Sequence, residues 1–128
     1  MIKILKSIAL LFAFIISIKC TKEEIFVREY PRVRTLSISE SSGEYYFNAD
    51  FLTRGDSEIT NYGFVWGTNE NPITEIDSVI NYTGNIKNIT FSAKIPEELK
   101  KANKYNVRSF VITNDYKVYG TNITFINP

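Results

Sequence analysis

Alternation of apolar and polar residues predicts most of the regular structure in this chain. Between Asn88 and Ile95 the apolar positions are Ile89, Phe91, Ala93 and Ile95, and the residues between them are polar. A period of two with one apolar face is typical of a strand that is buried on one side. We therefore predict a half-buried strand in this segment.

The segment from Glu44 to Thr53 alternates in the same way. One side of the predicted strand is apolar and carries Tyr45, Phe47, Ala49 and Phe51. The other side is mixed and carries Tyr46, Asn48, Asp50 and Leu52. This segment is a second predicted strand with its apolar face toward a core.

Five further segments have strand character and are separated by turn residues. They are Val33–Ile38, Tyr62–Trp66, Ser78–Tyr82, Tyr105–Thr113 and Val118–Ile126. The second of these is apolar on both faces, which predicts a central strand. Seven strands within about 100 residues, with no helical periodicity of useful length, predict an all-β fold: an antiparallel sandwich over residues 32–128.

The connection before Tyr105 does not alternate. Pro96 to Asn103 has the composition of a single helical turn that begins at the proline and ends at the asparagine. We predict that it crosses from one sheet to the other, with Leu99 closing the bottom of the core. The spacing to Tyr105 is that of a tyrosine corner, in which the phenol bonds a nearby backbone group.

Composition narrows the function classes. The chain has 128 residues, 44% of them hydrophobic, with one cysteine and no histidine. An intrachain disulfide and Ser-His or Cys-His nucleophile pairs are therefore excluded. A zinc site would need carboxylates alone, which zinc proteins rarely use. We expect no enzyme activity, no cofactor and no bound metal.

The first 19 residues have the pattern of an export signal. Lys3 and Lys6 precede an apolar run of eleven residues, Ile8–Ile18, in which Ser17 is the only polar member. As a helix this run would measure roughly 17 Å, too short for a bilayer core of about 30 Å. A basic start, a short apolar centre and a polar exit predict a signal segment.

Cys20 stands where the predicted signal ends, and there it resembles the invariant cysteine of a bacterial lipoprotein signal. The resemblance implies that residues 1–19 are a lipoprotein signal peptide and that Cys20 carries the lipid. Ser17 and Lys19 depart from the usual residues before that cysteine. A conventionally cleaved secreted protein and an uncleaved leader are the alternatives.

Residues 20–31 would then form a tether. Its Thr21–Glu24 segment, a lysine followed by two acids, resembles the surface-export signal of some Bacteroidota lipoproteins, and a plain solvated linker is the alternative. The resemblance implies an outer-membrane protein that is lipid-anchored and exposed at the cell surface, with the periplasmic face as the other placement.

Charge supports a lipid as the membrane contact. With Lys3, Lys6 and Lys19 of the leader set aside, 12 of the 15 basic residues remain against all 14 acidic ones, a net charge of −2. Such a domain has no electrostatic footprint for nucleic acid or for anionic lipid. Two or three acyl chains, at about 0.8 kcal/mol per buried CH₂, would hold it firmly.

Three segments, ITNYGFVWGTNENP (59–72), FSAKI (91–95) and YNVRSFVITNDYKVYGTNITF (105–125), resemble the fibronectin type III-like, immunoglobulin-like repeats of Bacteroidota surface lipoproteins. The shared features are a Gly-aromatic-Val-Trp strand, a Tyr-x-Val-Arg strand and a Tyr-Gly before the final strand. The resemblance covers residues 32–125 and implies the fold more than the function. The charged turn at 53–58 and the long segment before Tyr105 depart from the family pattern.

Aromatic residues are the candidate ligand platform. Trp66, Tyr62 and Phe64 could stack against a sugar, although such residues more often fill a sandwich core. Tyr46 and Phe110 fall on the polar sides of their strands, so an exposed aromatic beside an asparagine is one expectation. A contact between sheets explains these two residues equally well.

Charged motifs offer weaker candidates. Arg54-Gly55-Asp56 spells a tripeptide that animal adhesion receptors recognise, but three residues recur by chance. Asp56, Glu58 and Asp50 could supply oxygen ligands to calcium, though their spacing matches no known loop. The acids Glu97–Glu98 beside Lys100–Lys101 have the pattern of a solvated loop.

Modification motifs are also present. Asp77-Ser78-Val79 resembles the O-glycan acceptor motif of Bacteroidota, with Ser78 as the acceptor. Asn81, Asn88 and Asn122 each begin an N-glycosylation pattern, which in a bacterium we expect to be idle.

Together these patterns predict a lipid-anchored binding or adhesion module of the cell envelope with no chemistry of its own. Its partners would be the membrane, through Cys20, and an extracellular protein or glycan. The alternatives are a structural spacer or accessory subunit that packs through a sheet edge, and a dedicated glycan-binding module.

Overall fold

The structure, a computed structural model, describes residues 29–128 and is all-β over that range. The strands are β1 (Arg32–Ser41), β2 (Glu44–Thr53), β3 (Ile59–Gly67), β4 (Ser78–Thr83), β5 (Thr90–Lys94), β6 (Lys104–Thr113), β7 (Lys117–Tyr119) and β8 (Ile123–Ile126). The predicted signal segment and most of the tether lie outside the described residues.

The strands form two antiparallel sheets that pack face to face as a sandwich. One sheet has three strands in the order β1-β2-β5. The other has five strands in the order β4-β3-β6-β7, with β8 also paired to β6. The connections β2–β3, β4–β5 and β5–β6 each carry the chain from one sheet to the other. The predicted antiparallel sandwich is therefore confirmed.

The core lies between the sheets and is rich in phenylalanine. Phe47 of β2 packs against Phe64 of β3 at 5.5 Å between ring centroids and against Phe125 of β8 at the same distance. Phe91 of β5 packs against Phe64 at 5.2 Å. These are the apolar sides that the alternation predicted for β2 and β5, and burying each such ring stabilises the fold by about 1.5–3 kcal/mol.

The predicted tyrosine corner is present at the start of β6. The Lys100 N–H donates to Tyr105 Oη at 2.9 Å, and Leu99 is buried in the core cluster. The segment between β5 and β6 consists of turns and contains no helix, unlike the predicted helical turn. The turns are held by Asn127, whose side-chain amide donates to the Leu99 carbonyl at 3.0 Å.

The predicted last strand, Val118–Ile126, is two strands in the structure. Gly120 interrupts it because β1 approaches there: a side chain at this glycine would lie 2.2 Å from Ser109 Oγ and 2.6 Å from Thr35 Oγ1. Thr35 and Ser109 are buried, and their hydroxyl oxygens are 2.9 Å apart. This buried hydrogen bond links the two sheets, and the close approach requires a residue without a Cβ.

The first strand changes phase along its length. Leu36 pairs with Asn48 and Ser39 pairs with Tyr46, so one extra residue of β1 lies between the two pairs as a β-bulge. Simple alternation would place Leu36 and Ile38 on the same side. The bulge instead leaves Leu36 on the outer side while Ile38 packs against the core.

Candidate functional site

The lipid attachment predicted at Cys20 lies outside the described residues, as does Thr21–Glu24. No helix within residues 29–128 is long and apolar enough to cross a membrane. At the start of the described residues, Pro31 is buried and Tyr30 stacks against Tyr116 at 6.1 Å between ring centroids.

The predicted aromatic platform divides between the core and the surface. Phe64 and Trp66 are buried in the core. Tyr62 lies two residues before Phe64 and faces the same side of β3. It is only partly buried and lies at the side of the sandwich. There it stacks on Tyr82, which lies directly opposite on β4, at 5.4 Å between ring centroids.

These two tyrosines line a groove of about 410 Å³ on the side of the sandwich where edge strands β4 and β5 lie opposite each other. Phe91 of β5 lies edge-on to Tyr62 at 5.1 Å. The groove is lined further by the apolar Ile86 and by the polar residues Asn88, Thr90 and Ser92. It therefore offers aromatic and aliphatic surface with amide and hydroxyl groups along one rim.

Arg54 holds the loop that forms one wall of this groove. Its guanidinium donates to the Ile86 carbonyl and, at 2.7 Å, to the Asn88 carbonyl. Two charge-assisted hydrogen bonds to one loop fix its backbone. β5 starts at Thr90, later than the predicted Asn88, and Ile89, predicted on the apolar face, is exposed at 69%.

Tyr82 is the most exposed aromatic residue of the groove, at 36%. Partial burial, followed by the neighbouring phenol of Tyr62, raises the pKa of Tyr82 above its ordinary value. The phenol hydroxyl of Tyr82 is able to donate a hydrogen bond to a ligand.

Tyr46 and Phe110 have different environments, although both were placed on the polar sides of their strands. Tyr46 is half-buried, and its hydroxyl donates to Glu44 at 2.9 Å. Phe110 is 1% exposed. It lies over Gly63 of the neighbouring strand, where a side chain would meet the Phe110 ring at 3.3 Å and the Ile80 carbonyl oxygen at 1.9 Å. Phe110 is thus not a surface platform.

The arginine and aspartate of the Arg54-Gly55-Asp56 tripeptide bond within the chain. Asp56 accepts a hydrogen bond from the Glu29 N–H at 2.9 Å, and the Asp56 N–H donates to the Glu29 carbonyl at 3.0 Å. With Arg54 held by the loop at Ile86 and Asn88, both charged side chains are engaged in the folded domain. An adhesion receptor would have to compete with these bonds.

The three calcium candidates do not form a cluster. Asp50 forms a two-point ion pair with Arg34, at 2.6 and 3.0 Å, on the outer face of the three-stranded sheet. That hydrogen bond from Arg34 lowers the pKa of Asp50. Asp56 is bonded to Glu29, and within residues 29–128 no group of three acidic, histidine or cysteine side chains could hold a metal ion.

The acids and lysines at 97–101 lie in the turns between β5 and β6 and are exposed, as predicted. Glu97 Oε1 lies 3.9 Å from Lys94 Nζ at a highly solvated position. Lys94 makes its closer ion pair with Glu44, at 2.9 Å. The hydrogen bond from Lys94 is the main cause of the lowered pKa of Glu44.

The modification candidates differ in accessibility. Ser78 is exposed at the first position of β4, and Asn81 and Asn88 are also exposed. The Asn122 side chain is hydrogen-bonded within the domain. Its Oδ1 accepts from the Asn71 N–H at 2.9 Å, and its Nδ2 donates to Asn106 Oδ1 at 3.0 Å. A glycan on Asn122 would break these contacts.

Tyr82 and Ile86 are two groove residues that the sequence analysis did not propose as ligand-binding. Tyr82 was assigned to a short strand, but its position opposite Tyr62 depends on the β3–β4 register. Ile86 lies between Gly84 and Asn88 in a stretch without alternation. An aromatic residue at the end of a predicted edge strand is the one signal that could have pointed to this groove.

No protein-family model, no curated protein and no solved structure matches this chain.

Proposed function

We propose that this chain is a lipid-anchored binding module of the bacterial cell envelope, exposed at the surface of the outer membrane and without catalytic activity. The observation that carries the binding function is the Tyr62–Tyr82 groove. Stacked aromatic rings beside amide and hydroxyl side chains suit a hydroxyl-rich ligand such as a glycan. Such a ligand uses its apolar face for the rings and its hydroxyls for the polar rim.

We further propose that the sandwich is of the fibronectin type III-like kind. The first, second and fifth strands form one sheet, and the third, fourth, sixth, seventh and eighth strands form the other, an arrangement with repeated crossovers between sheets. The bond between Lys100 and Tyr105 adds the tyrosine corner that is common among immunoglobulin-like sandwiches. These features support the family type that the sequence resembles.

The anchor is tested at Cys20. Cells grown with a fatty-acid probe should label the wild-type chain and a Ser17→Ala control, but not Cys20→Ser, because only the thiol can receive the diacylglyceryl group. Equal labelling of the wild type and Cys20→Ser would refute lipid attachment. Mass spectrometry of the purified chain should then show Met1 or an unmodified start.

Surface exposure is tested by protease treatment of intact cells. A surface-anchored domain should be degraded in whole cells, while a periplasmic control protein stays intact. Full protection of the chain until the outer membrane is permeabilised would place it on the periplasmic face.

The groove is tested by glycan-array binding with the wild type, Tyr82→Ala and Tyr30→Ala. Tyr30 is an exposed tyrosine, at 51%, that lies outside the groove and serves as the matched control. Loss of one stacking ring should weaken binding about tenfold in Tyr82→Ala, and Tyr30→Ala should bind as the wild type does. Equal binding by all three proteins would remove the groove as the ligand site.

A structural or accessory subunit is the second candidate function. The observation that favours it is the exposed edge of β4, which offers a neighbouring protein a strand to pair with. Crosslinking in intact cells followed by pull-down separates the candidates, because a subunit should capture one stoichiometric envelope protein.

A further inference from the structure

The two sheets end in four edges, and three of these edges carry features that discourage strand pairing. β1 has Arg32 and Arg34 near its start and a bulge after Leu36. β5 is only five residues long and ends in Lys94. The edge formed by β7 and β8 is broken into strands of three and four residues.

The fourth edge, β4, has none of these features. Its six residues, Ser-Val-Ile-Asn-Tyr-Thr, include no charge and no proline, and its register with β3 is unbroken from Trp66–Ser78 to Asn61–Thr83. Every residue of β4 is exposed except Ile80, which is partly buried. A regular, neutral and exposed edge is the kind that pairs with another strand.

The backbone groups that β4 presents outward follow from one hydrogen bond. The Gly84 N–H donates to the Thr60 carbonyl at 2.9 Å, which makes residues 60 and 84 a hydrogen-bonded pair. Such pairs alternate with non-bonded pairs along an antiparallel ladder. Residues 78, 80 and 82 therefore bond to β3, while the N–H and C=O groups of Val79, Asn81 and Thr83 point away from the sheet.

We infer that β4 pairs antiparallel with β4 of a second copy of this chain, around a two-fold axis at Asn81. In this register Asn81 lies opposite Asn81 of the second copy, and Val79 lies opposite Thr83. All three outward-pointing residues of each copy then become members of hydrogen-bonded pairs, with six backbone hydrogen bonds in total. Moving the axis to Ile80 would leave Thr83 of each copy without a partner in the strand.

The side chains suit this register. On the outer face, Val79 of one copy meets Thr83 of the other, and both residues are β-branched. On the face toward the other sheet, Ile80 of one copy meets Tyr82 of the other. Aromatic and β-branched cross-strand pairs are favourable. No like charges oppose each other, because β4 has no charge.

This inference rests on the β4 backbone and is independent of the lipid anchor, but the proposed contact shares Tyr82 with the ligand groove. An edge contact is small, so the dimer should be weak and concentration-dependent. Asn81 points to the outer face of the sheet and Tyr62 lies on the opposite face. Substitutions at Asn81 therefore test the dimer without altering the groove.

Disulfide trapping tests the register. In the full chain carrying Cys20→Ser, the cysteine of Asn81→Cys is the sole thiol. A hydrogen-bonded antiparallel pair places the two Cα atoms about 5.5 Å apart, within the range that a disulfide spans. Under mild oxidation Asn81→Cys should form a covalent dimer. Thr83→Cys should not, because its two copies lie about four residues apart along the strands. Ser41→Cys, at an exposed position of β1, is a second control.

Charged substitutions at Asn81 test whether the partner strand belongs to a second copy of this chain. Asn81→Lys and Asn81→Asp each place like charges opposite one another across the axis, so each should weaken self-association about tenfold or more in analytical ultracentrifugation. An equimolar mixture should restore association, because Lys then faces Asp. Ser41→Lys, at an exposed position of β1, should leave association unchanged.

Three results would overturn the inference. The first is trapping of Asn81→Cys no faster than trapping of Ser41→Cys. The second is a mixture of the two charge variants that stays monomeric while the wild type associates. The third is an Asn81→Cys adduct in cells that contains a different protein, which would assign the edge to another partner. Unchanged thermal unfolding of each variant confirms that the exposed substitutions preserve the fold.

Discussion

The outer faces of the two sheets have the same alternating backbone but opposite environments. On the three-stranded sheet the outward side chains are solvated and bond across the strands: Arg34 with Asp50, and Asn48 with Ser92 at 2.7 Å. On the five-stranded sheet the outward Phe110 and the outward Val65 are buried. One face is open and polar, and the other is buried at its centre, where Val65 and Phe110 lie.

The connection between β3 and β4 lies on this outer face of the five-stranded sheet. Residues 68–77 fold back over the five-stranded sheet and are held by side chains of β6. Arg108 donates to the Pro72 carbonyl at 2.6 and 3.0 Å and lies 3.9 Å over the Tyr119 ring, and Asn106 donates to the Thr68 carbonyl at 3.2 Å.

This cover satisfies the polar groups that it buries. Within residues 29–128 no buried side-chain nitrogen or oxygen lacks a hydrogen-bond partner. The comparison teaches that an outward strand position becomes part of the core when a loop with matching donors and acceptors lies over it.

The largest loss of stability is expected when a buried side chain on the outer face of the five-stranded sheet is removed. Phe110→Ala removes a ring that is 1% exposed and should lower the free energy of unfolding by about 3–5 kcal/mol. Chemical denaturation measures the loss. The matched change on the open face, Leu36→Ala, removes a half-buried side chain and should cost about 1 kcal/mol or less. Equal losses would mean that the two faces do not differ in burial.

A smaller loss of stability is expected when the hydrogen bonds that hold residues 68–77 are removed. Arg108→Ala removes the bonds to the Pro72 carbonyl and the contact with Tyr119, and should cost about 2–3 kcal/mol. Hydrogen exchange at residues 68–77 should rise in this variant. Arg34→Ala on the open face breaks only a solvated ion pair and should cost about 0–1 kcal/mol. Unchanged exchange at 68–77 would show that Arg108 does not hold the connection.

The smallest effect should be the pH dependence of the open face. The hydrogen bond from Arg34 lowers the pKa of Asp50, so the ionised carboxylate favours the folded state. This stabilisation is fully present above the unfolded pKa, near 4, and is lost as the pH falls through the lower folded value. Asp50→Asn should therefore lower Tm by a few degrees at most at pH 7, and the difference should shrink and vanish as the pH falls below the lowered folded pKa of Asp50. A difference that grows on acidification would contradict this assignment.

Local alternation was sufficient to predict which residues of β2 and β5 face the core. Phe47, Ala49 and Phe51 of β2 and Phe91 and Ala93 of β5 are buried as the sequence predicted. Within one strand the side-chain direction is set by the backbone period, so neighbours along the chain carry the information. The tyrosine corner was also readable, because Lys100 and Tyr105 are only five residues apart.

Long-range contacts decided the places where the sequence was misleading. The break at Gly120 exists because Thr35 and Ser109, distant in sequence, meet there. The bulge in β1 turns Ile38 inward against the simple alternation. The ligand groove needed the register that places Tyr82 opposite Tyr62.

The sequence by itself therefore determined the strands, the antiparallel sandwich and most of the core, since each depends on periodicity over a few residues. Only the tertiary structure decided which outer face is covered and which edge is free. Whether an outward side chain such as Arg108 is covered depends on a segment 36 residues away, and a strand's own pattern does not encode what lies over it.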